Sequence, residues 1–333
     1  MQLPERVRRA IEERADAVGF TELKRAAAGI SEAYRGGGAL RLAGEQRTAA
    51  YLAVRMPATY AAAYAVLREV RGRLGARAIE SVLDAGAGAG AASLAARELF
   101  PAASITMVER DAALAAAARE WLPDAQYVAA DIERMDRFPT HDLVLAAYAL
   151  GETERPPVAR LWDAARVALV VIEPGSARGF ALVRQIRDSL LGAGWQAKAP
   201  APQMALAHML APCPHESACP LAAPEWCHFA ARVERSRIHR RLKDADLNYE
   251  DEKFSYVALA REPAELPAAR IIRRVRQRPG LIELELCGRA GLRSERVTRS
   301  ARETFRAARH AAWGDAWDCG AKPSGLPPGF RPA

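Results

Sequence analysis

The chain has 333 residues, half of them hydrophobic, with a formal net charge of +8 and five cysteines. That is enough apolar material for one large core or two modest ones, and it sets aside a disordered or fibrous chain. No run of about 18 apolar residues occurs, which excludes a membrane-spanning helix and leaves no membrane partner to expect.

The opening Met1-Gln2-Leu3-Pro4-Glu5-Arg6 leads into an acid-containing amphipathic stretch, unlike a signal or transit peptide, so a cytoplasmic bacterial protein is expected. Residues 1–76 are expected to form an N-terminal helical domain. Val7, Ile11, Ala15 and Val18 fall at helical spacing, and Ala49 to Val70 is alanine-rich with few breakers. Tyr34-Arg35-Gly36-Gly37-Gly38 reads as a flexible turn, and Pro57 as a helix kink.

From Ala78 strands alternate with helices. Strands are expected at Ile79–Asp84, Ile105–Glu109, Tyr127–Asp131, Leu143–Ala147 and Ala168–Glu173, with helices at Ala91–Phe100, Ala112–Trp121 and Phe180–Leu191. This alternation predicts an α/β, Rossmann-like, doubly wound parallel sheet over residues 77–262. A proline- and cysteine-rich insertion at about 199–248 interrupts it. Within it, Ala199–His228 is expected to lie outside any sheet and Arg232–Lys243 to be a basic helix. Phe254–Ala260 reads as a strand. Over 263–310, Ile271–Val275, Leu281–Leu286 and Arg296–Thr298 suggest a small antiparallel group turning at Pro279-Gly280, and 311–333 reads as a flexible tail.

Asp84-Ala85-Gly86-Ala87-Gly88-Ala89-Gly90 joins the first strand to its helix. Gly86, Gly88 and Gly90 let the backbone approach a ligand closely, a pattern shared by dinucleotide and S-adenosylmethionine sites. Asp84 separates the two. A carboxylate at the loop's entrance repels a pyrophosphate but favours the ammonium and sulfonium of S-adenosylmethionine. Glu109 is placed to accept the ribose hydroxyls and Asp131 to lie beside the adenine, each at a successive strand end. The fourth strand exits into Tyr148-Ala149-Leu150-Gly151-Glu152, which holds neither an Asn-Pro-Pro-aromatic box nor a cysteine nucleophile. No catalytic residue is assigned; Tyr148 and Glu152 are candidates for orienting a substrate.

Without a secretory leader, clustered cysteines point to metal ligation rather than disulfides. Cys213, Cys219 and Cys227 lie in one proline-rich stretch and Cys287 closes a later strand. The absence of C-x-x-C knuckles disfavours zinc, which remains the alternative. Four dispersed thiolates, two followed by proline, suit a [4Fe-4S] cluster. His215 and His228 are substitute ligands, Arg232, Arg289 and Arg293 are candidates to offset the cluster's negative charge, and Cys319 reads as a free thiol.

Several segments together resemble the methyltransferase-like family associated with the mitochondrial small ribosomal subunit. They are Arg55-Met56-Pro57-Ala58-Thr59-Tyr60, the Leu83–Gly88 loop, Leu150-Gly151-Glu152, Glu173-Pro174-Gly175, Ala211-Pro212-Cys213-Pro214-His215 with Cys219 and Trp226-Cys227-His228, and Asp251-Glu252-Lys253-Phe254-Ser255-Tyr256. The resemblance implies S-adenosylmethionine binding, a four-cysteine [4Fe-4S] cluster, and action on the small ribosomal subunit or its rRNA. Some members of that family act as assembly factors, so a non-catalytic role stands as the alternative to an rRNA methyltransferase. A nicotinamide or flavin oxidoreductase with an electron-transfer cluster is the third reading. Arg261 to His310 holds 13 arginines, no lysine and 6 acids, almost the whole net charge. Such a segment suits phosphate-backbone contact with rRNA, made by a monomer.

Overall fold

The computed structural model describes residues 1–36, 44–192 and 207–318. The chain begins with four helices, α1 (Glu5–Val18), α2 (Phe20–Gly36), α3 (Glu45–Val54) and α4 (Met56–Leu74). Val7, Ile11 and Ala15 form the buried stripe of α1 that their spacing predicts. Pro57 does not kink a helix. It occupies the first turn of α4, where its missing N–H has no partner to lose.

There follow β1 (Ser81–Ala85), α5 (Ala91–Leu99), β2 (Ser104–Val108), α6 (Ala112–Trp121), β3 (Gln126–Val128), β4 (His141–Ala147), α7 (Val158–Ala164), β5 (Ala165–Pro174) and α8 (Ala177–Leu190). After them come β6 (His208–Ala211), β7 (Phe229–Glu234), α9 (Arg237–Leu242) and β8 (Tyr249–Ala260). The sheet order is β3-β2-β1-β4-β5-β8-β6, with β7 pairing β8 as well.

The first five strands are parallel, as the alternation predicts. The strand expected at Phe254–Ala260, for which the sequence indicates no direction, is β8, and it runs antiparallel to β5, β6 and β7. Two further corrections concern the insertion. His208–Ala211 is a strand of the main sheet, although Ala199–His228 read as lying outside it; residues 199–206 fall outside the described set. The predicted helix Arg232–Lys243 begins as strand β7, whose burial alternates with a period of two, and only Arg237–Leu242 is helical.

Helices α1–α4 share one apolar core with a face of this sheet, and α7 and α8 cover the other. A second, antiparallel sheet comprises β9 (Ala269–Ile271), β10 (Arg276–Arg278), β11 (Leu281–Gly288), β12 (Gly291–Thr298) and β13 (Ala316–Trp317), with α10 (Arg302–Ala308) against it. Its core of Ile271, Ile282, Leu284, Leu286, Val297 and Trp317 is separate.

The long β8 sets the geometry around the cysteines. Along one edge it pairs with β5; along the other it pairs first with β7, through Tyr249–Phe254, and then with β6, through Ala258–Ala260. The segment 212–228 therefore leaves the sheet at Ala211 and returns to the same edge at Phe229, a loop pinned at both ends.

Candidate functional site

The first candidate site is the cleft at the carboxyl ends of the parallel strands. Gly86, at φ +75°, lies so close to β4's exit that a Cβ there would sit 2.5 Å from Ala149 Cβ. The loop is tied down by the Gly86 and Ala87 amides donating to Val108 O at 2.9 and 3.0 Å, and by Trp121 Nε1 donating to Ala89 O at 2.9 Å. Asp84, Gly86, Gly88, Glu109 and Asp131 all line the cleft. Gly90 does not; it caps α5 at φ +79°, where a Cβ would meet Met107 and Leu122.

Asp84 is 1% exposed. One of its oxygens accepts from Ser93 Oγ at 2.6 Å, while Oδ1 has no hydrogen-bond partner. Burial pushes its pKa up to about 6, against the opposing Ser93 bonds and with help from the Glu109 charge. Glu109 accepts from the Gly88 and Asp111 amides, each at 2.7 Å. Asp131 accepts from Glu133 N at 3.0 Å and Arg110 Nη1 at 3.1 Å; these bonds outweigh partial burial and hold it below the usual range. Tyr51 of α3 and Thr59 of α4 close the cleft from the helical side, a contribution that no loop motif signals.

At the exit of β4, Glu173 is buried and accepts from the Leu150 and Gly151 amides, both at 3.1 Å. Burial pushes it up to about 7, although the two amides oppose that and Glu152 adds to it. Glu152 lines the cleft, and burial of its carboxyl likewise raises it to about 7. Tyr148, at φ +57°, donates to Glu252 Oε1 at 3.0 Å.

The second candidate site lies where the cysteine loop meets the second sheet. Cys213, Cys219 and Cys227 from the pinned loop and Cys287 from β11 line one cavity. His215 lines it too, its Nε2 3.5 Å from Cys287 Sγ. His228 does not. It stacks on Trp226, centroids 5.7 Å apart, and meets Trp313 edge-on. Cys319 lies outside the described residues. Burial and the neighbouring sulfurs drive the Cys227 thiol well up and Cys287 to about 12; burial raises Cys213 as well, opposed by Arg187. No group of three or more His, Cys, Asp or Glu among the described residues is placed to hold a single metal ion.

The arginines expected beside the thiols are elsewhere. Arg232 pairs with Asp251 at 2.9 Å and covers the Tyr249 ring, Arg293 pairs with Glu295 at 3.5 Å, and Arg289 does not line the cavity. Their place is taken by Arg187 of α8 and Arg270 of β9, 3% and 2% exposed. Arg187 donates to the His215 and Ser217 carbonyls at 3.1 and 2.6 Å. Arg270, paired in register with Cys287, donates to Pro212 O and Gly314 O, each at 2.8 Å, and bonds Glu69 of α4. Tyr256 donates to the other Glu69 oxygen at 2.8 Å. Composition marks arginine as a surface residue, so the sequence carries no sign of these two.

A Rossmann-like sheet with an antiparallel strand beside β5, a glycine loop after β1 and acids at its strand ends define a methyltransferase-like protein. Residues 45–318 match the family described as mitochondrial small ribosomal subunit Rsm22, and the chain belongs to that family. It is 29% identical over 300 residues to the human protein named ribosome assembly protein METTL17, mitochondrial, covering 84% of this chain and 64% of that one. It is 26% identical over 322 residues to Rsm22-cox11 tandem protein 2, mitochondrial, of Schizosaccharomyces pombe, covering 80% and 42%. The chain thus spans less than two thirds of the length of either relative. Among solved structures, the precorrin-6y C5,15-methyltransferase of Geobacter metallireducens aligns with a TM-score of 0.36 at 14% identity, over 59% of this chain and 86% of that one. No helix among the described residues is long and apolar enough to cross a membrane.

Proposed function

We propose that the chain is an S-adenosylmethionine-binding, [4Fe-4S]-containing, methyltransferase-like protein that acts as a monomer on the small ribosomal subunit or its rRNA. The observation that carries the cofactor reading is Asp84, a buried carboxylate with one oxygen unsatisfied at the floor of the cleft. Such an oxygen is costly until a cationic donor reaches it, and the ammonium of S-adenosylmethionine is such a donor. Glu109 and Asp131 would hold the ribose and adenine ends. When bound, the cofactor supplies an electrophilic methyl group. The residues of this chain bind and orient it, and the Glu173 carboxylate fixes the backbone at the rim by bonding two amides. The dinucleotide reading is weakened because the Gly88 amide, which a pyrophosphate would need, is already bonded to Glu109.

The residues around the second cavity suit an iron-sulfur cluster. Its four thiols surround one space instead of gathering at a point, and two buried guanidiniums compensate negative charge. Cys213, Cys219, Cys227 and Cys287 would ligate it. With four protein ligands no iron is left open, which suits a structural or redox-sensing role.

The alternative, an assembly factor without methyl transfer, is favoured by one observation. Two of the polar groups at the β4 exit are engaged in structure, Tyr148 with Glu252 and Glu173 with backbone amides, which leaves Glu152 facing the cleft. Anaerobic purification, iron and sulfide analysis, and calorimetric titration with S-adenosylmethionine test the proposal. About four irons per chain and a broad absorption near roughly 400 nm, both lost in Cys219→Ser, are expected, along with saturable cofactor binding. A colourless protein carrying one zinc would overturn the cluster. Labelled methyl transfer to purified small subunits separates the enzyme from the assembly factor.

A further inference from the structure

The second sheet carries a groove of its own, away from both candidate sites in lining. It runs between the β10–β11 turn and α10, and its walls include Arg278, Arg299, Arg302, Phe305, Arg306 and Arg309. Two hydrogen bonds frame it: Gln277 Nε2 donates to Arg309 O at 3.2 Å and Arg299 N to Gly280 O at 3.3 Å. No carboxylate lines it. Arg278 reaches Glu283 only at 4.0 Å, and among the described residues Arg299, Arg302, Arg306 and Arg309 make no ion pair.

Their spacing is regular. Arg302, Arg306 and Arg309 recur at i, i+4 and i+7, on one face extending α10, while Ala308 and Phe305 turn toward the sheet's core. Of the eight arginines elsewhere in residues 261–310, four form ion pairs: Arg270 with Glu69, Arg273 with Glu225, Arg293 with Glu295 and Arg296 with Glu283. The groove sets five guanidiniums side by side with no carboxylate among its lining residues, a concave strip of positive charge. Guanidiniums in such a row match the oxygens of successive phosphates and can bond them bidentately. The single aromatic ring in the groove is packed against apolar residues, so no platform for stacking bases is available.

We propose that this groove holds the phosphate backbone of RNA and positions the chain on it without reading base sequence. The proposal deepens the small-subunit reading above and rests on it. It makes α10 and the β10–β11 turn the anchoring surface and leaves the cleft beyond β4 free to meet a target.

The test is fluorescence anisotropy with the full chain, using labelled small-subunit rRNA fragments and a hairpin of scrambled sequence, between 50 and 200 mM salt. The triple variant Arg302→Gln/Arg306→Gln/Arg309→Gln is compared with Arg71→Gln/Arg237→Gln/Arg240→Gln, which removes the same charge from exposed positions elsewhere. The groove variant should lose at least about tenfold in affinity for both RNAs, and its slope of log affinity against log salt should fall by about 2, since each phosphate contact contributes roughly 0.7–0.9. The control should lose far less. An unchanged slope in the groove variant with intact wild-type binding overturns the groove and leaves the small-subunit reading standing. Equal losses in the control show net charge at work and likewise overturn it. Wild-type chain that binds neither RNA, or that binds phosphatidylserine vesicles in preference, sinks both.

Discussion

Asp84 is a charged group kept where charge is expensive, and that cost is measurable. Its folded pKa, about 6, lies above the ordinary 3.8, so the native state holds its proton more tightly than the unfolded chain. The stability this group contributes is fully present below about pH 4 and is lost as pH rises through about 6. Asp84→Asn can keep the Ser93 bond and sheds the charge. Ligand-free Asp84→Asn protein is expected to exceed the wild type by about 1–3 kcal/mol above pH 6.5, with the difference vanishing near pH 4, as read from denaturant midpoints across that range. The same variant should weaken S-adenosylmethionine at least tenfold at pH 7.5, because the ionised form is what a cation selects. A difference that stays flat with pH would show that Asp84 is solvated. The glycine loop, Asp84 and Glu109 were legible because they stand at or just past strand ends that periodicity locates, whereas Asp131 lies in the segment after β3, which ends at Val128 and not at the expected Asp131. The bonding of Glu109 to Gly88 was not legible, because it depends on a rotamer.

At the scale of elements, the ion pair of Arg270 with Glu69 joins β9 to α4, and the bond of Arg270 to Pro212 O joins both to the cysteine loop. Arg270 is buried while Glu69 is 23% exposed at its side chain and keeps Tyr256 and Arg73 beside it, so it is the guanidinium that loses its counter-charge in a buried place when the pair is broken. Glu69→Leu is expected to cost about 3–5 kcal/mol, and Arg270→Met/Glu69→Leu appreciably less. A double-mutant cycle in urea measures this, and additive losses would show that the two groups act independently. Strand β3 is only Gln126–Val128, shorter than the expected Tyr127–Asp131, while β1, β2, β4 and β5 were readable since each carries a run of apolar residues. The antiparallel direction of β8 was not, because strand sequence does not encode orientation, and four-residue β6 is too short for periodicity to speak. The end of β7, Arg232–Glu234, was absorbed into the basic helix expected over Arg232–Lys243, whereas Arg232 and Glu234 belong to the outward half of an alternating strand.

For the whole molecule, the thiol cavity is where the main sheet, the pinned loop and the second sheet converge, while the cores on either side remain distinct. Occupation of that cavity should therefore govern the docking of the second sheet and leave α1–α3 unaffected, while α4 is tied to it through Glu69 and Arg270. In protein carrying the proposed cluster, its loss by chelation or oxidation is expected to raise hydrogen exchange at least about tenfold in β9, β11 and residues 212–228, with no change in α1–α3. Uniform loosening would show that the joint is not local. The four thiols also have an order in time. The last follows the third by about sixty residues along the chain, so at 5–20 residues per second a ribosome making this protein releases it on the order of three to twelve seconds later. Over that interval the nascent chain offers three sulfurs without the fourth, and its exposure to oxygen is set by the speed of translation.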